Sequence, residues 1–169
     1  MSGYDFYYHG LYMWLCWSFV AAIQVSSNRY FKAEWLGIHM WIHRICGTIV
    51  MVATLYHGIS AWKTVGWNII KNMHSIFVFP ILFLVFFVAI GGVFTRSRLR
   101  RNIWNTSQAL KIKKIHKAFA YFVIVFGSFS ILSGLYYYRN NKKHFYKEPL
   151  ELYHAVGTII VYVFLEVWF

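Results

Sequence analysis

Acidic residues are scarce in this chain. Its 169 residues include 5 aspartates and glutamates against 17 lysines and arginines, which gives a formal net charge of +12. Charged residues make up 13% and hydrophobic residues 59%, whereas a soluble domain carries about 25% charged residues. The composition therefore excludes an ordinary soluble domain, and the sequence offers no general acid, nucleophile or metal-hydrolase set.

Cysteine and proline are also rare, with 2 of each. Cys16 and Cys46 form neither a CxxC nor a CxxCH motif, which argues against covalently attached c-type haem and against a zinc site. We expect both to be buried, apolar thiols. The sequence has no internal repeat, low-complexity tract or glycine-rich phosphate loop, and its longest connection, 96–114, is too short for a soluble domain.

Long apolar runs dominate what remains. Crossing the hydrocarbon core of a membrane takes about 20 residues of helix. The sequence predicts five such helices, at about 8–26, 36–62, 73–95, 115–138 and 150–168. We therefore predict an all-α integral membrane protein that forms a single transmembrane domain over residues 1–169.

Basic residues cluster in the connections between these runs, as TRSRLRRN (95–102), KIKK (111–114) and RNNKK (139–143). Positive connections beside membrane spans set the orientation of the chain and contact anionic lipid. The positive charge is therefore interpreted as a contact with membrane lipid, and no nucleic-acid partner is expected.

Four histidines lie near the starts of the first four predicted helices: His9, His39, His74 and His116. Because consecutive helices cross in opposite directions, His9 and His74 fall at one membrane face, and His39 and His116 at the other. Two imidazoles that face each other across a bundle are what a six-coordinate b-type haem requires. The positions predict two stacked haems, although a single histidine near a helix end is often only an interfacial polar residue.

Two further histidines, His43 and His57, share one face of the second predicted helix with His39. That helix could ligate two haems by itself through His43 and His57, but no other helix offers a matching pair. We expect instead that both form hydrogen bonds with haem propionates or contact an electron donor at the membrane surface.

Four motifs occur in order along the chain: HGLYMWLCW (9–17), NRYFK (28–32) followed by Trp35 and His39, MHSIF (73–77), and IHKAFAYFVIVFGSFSILSG (115–134). Together they resemble the transmembrane core of the cytochrome b561 family, in particular its DOMON-associated branch, over about residues 8–138. The 169 residues contain no DOMON domain.

The resemblance implies a four-helix di-haem bundle of cytochrome b561 type, with the fifth helix added outside it. It implies one non-covalent, bis-histidine haem between His9 and His74, and a second between His39 and His116. The small residues of the last motif stand where the backbone and the macrocycle come close.

Arg44 and Lys117 each follow one of these histidines directly. They are expected either to compensate haem propionates or to extend to the membrane interface. His154, near the start of the fifth helix, is predicted to lie at the membrane face of His9 and His74 without ligating a haem. The fifth helix is expected to contribute to assembly.

The sequence thus predicts a di-haem transmembrane electron carrier that passes electrons between the two membrane faces. Whether it acts as an oxidoreductase enzyme is left open, as are its small-molecule or protein electron donor and acceptor. The alternative is an accessory subunit of a larger membrane complex, such as a respiratory complex, that keeps the fold with or without active electron transfer. The compartment stays open between the mitochondrial inner membrane, the secretory pathway and the plasma membrane.

Overall fold

The computed structural model describes residues 6–30, 37–67, 73–100, 106–141 and 153–157. Four long helices account for most of them. Helix α1 runs without interruption through Phe6–Leu15, Cys16–Val20 and Ala21–Arg29, and it is followed by α2 at Ile38–Thr64, α3 at Met73–Arg100 and α4 at Thr106–Asn141. Residues 153–157 are also helical and are called α5 here.

Each of the four long helices is long and apolar enough to cross a membrane. The apolar surface also faces outward, since Val93, Tyr56 and Phe87 are 72%, 65% and 63% exposed. Such a surface is unfavourable in water and suits contact with lipid. The structure therefore indicates a multi-pass membrane protein.

The four helices coincide with the first four predicted spans, but α4 begins nine residues before the predicted start at 115, at Thr106. No glycine or proline interrupts 106–114, and its lysines and Gln108 favour a helix. The membrane-crossing part starts at Leu110. The prediction that His116 lies at the start of its helix is wrong, since His116 lies nearly three turns into it. Of the fifth predicted span, 150–168, only the part in α5 lies within the described residues.

Helix order around the bundle follows the chain. Helix α1 packs on α2, α2 on α3, and α3 on α4, while α4 returns to contact α1. Helices joined by short connections pack as antiparallel neighbours, and this gives the up-and-down arrangement. As a result α1 and α3 stand diagonally across the bundle, and so do α2 and α4.

The middle of the bundle is filled by apolar side chains. One buried cluster contains Ile81, Val85 and Val123, and a second contains Cys16, Ala21 and Val50. The Trp17 ring packs against both clusters, and its Nε1–H donates to Thr54 Oγ1 at 3.2 Å. Cys16 is buried as expected, whereas Cys46 is only half-buried.

Trp17 belongs to a short π-helical turn in α1, Cys16–Val20. In a π-helix each N–H bonds to the carbonyl five residues back, so that the turn holds one residue more than an α-helical turn. The surrounding segments Phe6–Leu15 and Ala21–Arg29 are α-helical. Such single turns are frequent at functional sites.

Helix α2 ends in a glycine cap. The N–H of Gly66 donates to the carbonyl of Lys63 at 3.3 Å, and the N–H of Trp67 donates to the carbonyl of Trp62 at 2.9 Å. These two bonds define a Schellman motif, and the accompanying apolar contact is that of the Trp62 and Trp67 rings, whose centres lie 6.5 Å apart. Gly66 has a φ of +72°, which disfavours a side chain.

Replacing Gly66 by alanine is therefore expected to lower the free energy of unfolding by about 1 kcal/mol. The matched control is Gly91→Ala, because Gly91 is helical and a methyl group there meets nothing within 4 Å. Circular dichroism during SDS unfolding in mixed micelles measures both variants. Equal stability of Gly66→Ala and the unchanged protein would show that the cap contributes nothing.

Candidate cofactor site

The diagonal helices α1 and α3 bring the rings of His9 and His74 together in an edge-to-face arrangement. Their ring centres lie 6.2 Å apart, with the ring planes at 81° to each other. His57 of α2 lies beside them, with its ring centre 6.0 Å from that of His9 and stacked at 5.5 Å on Tyr12. Three histidines from three helices thus meet at one end of the bundle.

Backbone groups of neighbouring helices orient both facing rings. His74 Nδ1 lies 2.9 Å from the carbonyl oxygen of Ser130 in α4. A carbonyl can only accept, so Nδ1 carries the proton and Nε2 keeps its lone pair. The His9 ring forms a hydrogen bond with the backbone of His57. Fixing one ring nitrogen in this way is how proteins present the other one to a metal.

The separation of the two rings fits a shared metal ion. Imidazole nitrogens bind transition metals at about 2 Å, and the ring centre lies roughly 1 Å further out, so that two rings on opposite sides of an ion have centres about 6 Å apart. The separation of 6.2 Å between His9 and His74 matches that value. In the described part of the chain, no group of three or more histidine, cysteine, aspartate or glutamate side chains could hold a metal ion.

Small residues surround this pair. A small central cavity of about 20 Å³ lies next to the two rings and is lined by His9, Met13, Trp17, Thr54, Gly58, His74, Val78, Ile81, Gly127, Ser130 and Ile131. A methyl group on Gly134 would lie 2.9 Å from Cε1 of His74. The His74 ring can therefore occupy its position only because residue 134 has no side chain.

The other end of the bundle contains His39 and His43 of α2 and His116 of α4. His43 Nδ1 donates to the carbonyl oxygen of Gln24 at 3.0 Å, and His43 lies close enough to His116 for an electrostatic interaction. A methyl group on Gly92 of α3 would lie 3.3 Å from Cε1 of His116. This end therefore also combines histidines with a close approach of glycine.

The Nδ1 atoms of His39 and His116 are buried and have no hydrogen-bond partner among the described residues. A buried polar atom without a partner is costly and points to a missing partner such as a ligand. Among the aromatic contacts of the described residues, none joins His39 to His116.

The two ends are well separated. From His74 to Gly92, which contacts His116, α3 advances 18 residues, or about 27 Å. His9, His57 and His74 lie at one end, while His39, His43 and His116 lie at the other. Their roles as ligands or as partners of propionates stay predictions.

Arg44 and Lys117 each lie next to an aromatic ring of their own helix. The Arg44 guanidinium is 5.5 Å from the centre of the Trp41 ring, and the Lys117 amine is 5.7 Å from that of the Tyr121 ring. These are cation–π distances. Trp41 and Tyr121 are exposed, so both contacts lie on the outside of the bundle, and compensation of propionates stays a prediction.

The predicted depth of His154 in the membrane is wrong. Its Nδ1 lies 2.9 Å from Oγ of Ser18, and Ser18 lies nine residues beyond His9, or about 13 Å along α1. Since the span of α1 is Tyr8–Arg29, His154 is buried at middle depth and not at the face of His9 and His74. The one feature of the sequence that could have indicated this contact is Ser18, a polar residue inside an apolar run.

Comparison with known proteins gives no assignment: no model of a known protein family, no curated protein and no solved structure matches this chain. The geometry of the two histidine groups is therefore the basis for assigning a function.

Proposed function

We propose that the protein is a di-haem b-type transmembrane electron carrier. The observation that carries the proposal is the pair His9 and His74, whose rings face each other at 6.2 Å across the bundle. The motifs that resemble the cytochrome b561 family support it, because they contain the same two histidines.

A haem suits this pair better than a bare ion. Structural zinc takes four protein ligands, and catalytic zinc usually takes three. A haem iron already has four ligands in the macrocycle and needs two axial ones. The described residues offer a pair of histidines and no metal-binding group of three or more side chains. Two is also the number of ligands that a haem iron takes from the protein.

Bound between such a pair, a haem supplies a reversible one-electron couple. His9 and His74 would hold and orient the group, and the carbonyl of Ser130, by accepting from Nδ1–H of His74, would leave Nε2 of that ring free for it. In the proposal, His39 and His116 hold the second haem near the other face. Their Nδ1 atoms, which are buried and have no partner among the described residues, would then have bound water as a candidate partner.

The apolar middle of the bundle separates the two proposed haem sites. Ile81, Val85, Val123 and the Trp17 ring fill this layer. It excludes water and charged groups, which would be costly at this depth. An electron can cross such a layer without the movement of an ion, and this separation would let electrons enter at one face and leave at the other.

Haem content tests the proposal directly. The purified full chain is expected to contain about two haems, both extracted by acid acetone because no CxxCH motif binds them covalently. A pyridine haemochrome spectrum gives the stoichiometry. A value near zero would contradict the proposal and leave a haem-free helical scaffold.

A second candidate is an accessory subunit that keeps the fold with an incomplete haem set. In the described part of the chain, the rings of His9 and His74 are in contact at 6.2 Å, whereas no ring contact joins His39 to His116, and this difference favours one haem site over two. One haem per chain, ligated by His9 and His74, would favour this candidate over the electron carrier.

Gly134→Ala is expected to disturb the first haem selectively. The added methyl group would lie 2.9 Å from the His74 ring, so the ring must shift from the position in which it would hold the haem. We expect the haem content to fall by up to one haem per chain, or the remaining spectrum to change from low spin to high spin. Gly91→Ala, where a methyl group meets open space, should keep both haems. A spectrum of Gly134→Ala identical to that of the control would argue against His74 as a ligand.

A further inference from the structure

A second, larger cavity lies on the other side of Trp17, between α1, α4 and α5. Its volume is about 180 Å³, against about 20 Å³ for the central cavity, and it opens toward the outside of the bundle. It is lined by Trp14, Trp17, Ser18, Phe19, Ala21, Ala22, Ile124, Ser128, Tyr153, His154 and Gly157. Since Ser18 and Ile124 lie near the middle of their spans, this cavity faces the hydrocarbon region.

The cavity contains a histidine at the depth where one is least expected. His154 is only 8% exposed, and Oγ of Ser18 occupies its Nδ1. Nε2 is then its remaining polar atom. This atom is not fully buried, so a ligand in the cavity can reach it. Polar side chains inside a membrane are expensive, and they usually mark a binding site or a pathway.

The remaining lining defines the chemistry of a ligand. Four aromatic residues, Trp14, Trp17, Phe19 and Tyr153, offer flat apolar walls, and Ser128 adds a hydroxyl group. Among the described residues that line the cavity there is no lysine or arginine, so none of them would pair with an anionic headgroup. A water-soluble ligand would have to cross hydrocarbon to reach this depth.

We propose that this cavity binds a rigid, ring-built lipid that carries one hydrogen-bonding oxygen on its ring. The ring would pack against the aromatic walls, and the oxygen would form a hydrogen bond with Nε2 of His154. Sterols and lipid-soluble quinones both have this chemistry. The inference goes beyond the proposed function, since none of the groups that it uses is a proposed haem ligand.

A plain acyl chain is a poorer match. It would fill apolar space but leave the Nε2 atom without a partner, and it would gain little from flat walls. The positions of Ser18 and His154 are explained by a ligand that presents an oxygen at this depth.

Photolabelling of the full chain in nanodiscs tests the inference. The probes are a diazirine-bearing sterol and an azido-quinone, each competed by its unlabelled parent, and labelled peptides are located by mass spectrometry. We expect at least one probe to label residues 14–22 and the middle of α4, and competition identifies which source of the ring lipid binds.

Two variants and one control make the result specific. His154→Phe keeps the bulk and removes the polar atom, and it is expected to lower labelling about fivefold to tenfold, the effect of one hydrogen bond. Gly157→Leu is expected to extend into the cavity that Gly157 lines and to lower labelling at least as much, because a Cβ atom there meets nothing within 4 Å. Gly91→Leu makes the same change at another open position and should label normally.

Haem content and native size report whether each variant has folded, and Gly157→Leu provides the test if His154→Phe does not fold. Labelling that persists in a folded His154→Phe or Gly157→Leu variant overturns the inference, as does labelling by neither probe or labelling spread evenly over all helices. Loss of labelling in both variants with normal haem content supports it. A haem-free but labelled protein would contradict the proposed function alone.

Discussion

Protein that carries His74→Ala is expected to contain one haem per chain, and His9→Ala should lose the same haem. The two rings lie 6.2 Å apart, so under the proposed function the loss of either would leave a haem with a single histidine ligand in an apolar site. Loss of an axial ligand abolishes the low-spin spectrum or releases the haem. The double variant should lose no more haem than either single variant, which absorption spectra and redox titration can measure.

The histidines at the other end of the bundle, His39 and His116, provide the control. His39→Ala and His116→Ala should each remove the other haem and leave the His9 and His74 signal unchanged, because the two groups lie about 27 Å apart along α3. His57→Ala should keep both haems. If His57→Ala or His43→Ala removed a haem while His39→Ala did not, ligation from a single helix would replace the proposed scheme.

Gly127→Ala is expected to destabilise the bundle by about 1–3 kcal/mol, as overpacking of a core does. A methyl group on Gly127 would overlap the six-membered ring of Trp17. That ring cannot easily withdraw, because its Nε1 donates to Thr54 and Trp17 packs against both core clusters. SDS titration in mixed micelles, followed by circular dichroism, gives the change in the free energy of unfolding.

A double-mutant cycle isolates this contact. Trp17→Ala alone should cost about 3–5 kcal/mol, because it leaves a large cavity. In the Trp17→Ala background, the further change Gly127→Ala should cost almost nothing, since the overlapping ring is gone. Strictly additive costs would mean that residue 127 is limited by some other neighbour than Trp17.

The helices were accessible from the sequence because lipid imposes a simple rule on composition. The apolar runs of α2 and α3 exceed the length needed to cross a membrane, and the structure has helices there. The diagonal meeting of His9 and His74 also follows from counting, since alternate helices point the same way and their first turns lie at one depth.

Other features depend on contacts that no periodicity records. The start of α4 at Thr106 was missed because the prediction followed the run of apolar residues, which ends at the membrane. The backbone hydrogen bonds of the helix continue beyond that run into water. The depth of His154 was missed because the position of α5 depends on Ser18, 136 residues away in the chain. The contact of Gly134 with His74 likewise joins two helices. In the sequence, the only sign of this contact is the small size of residue 134.

The π-helical turn at Cys16–Val20 has a consequence for how relatives of this chain should be compared. A π turn accommodates one residue more than an α turn while the flanking helix keeps its direction and phase. A homologue with one residue fewer here could still place a histidine opposite His74 and a small residue at the position of Ala21. An alignment that forbids gaps within helices would shift one half of α1 by a residue, and it would pair His9 with a neighbour of the true equivalent. A one-residue gap at 16–20 is therefore the correct alignment of such a homologue.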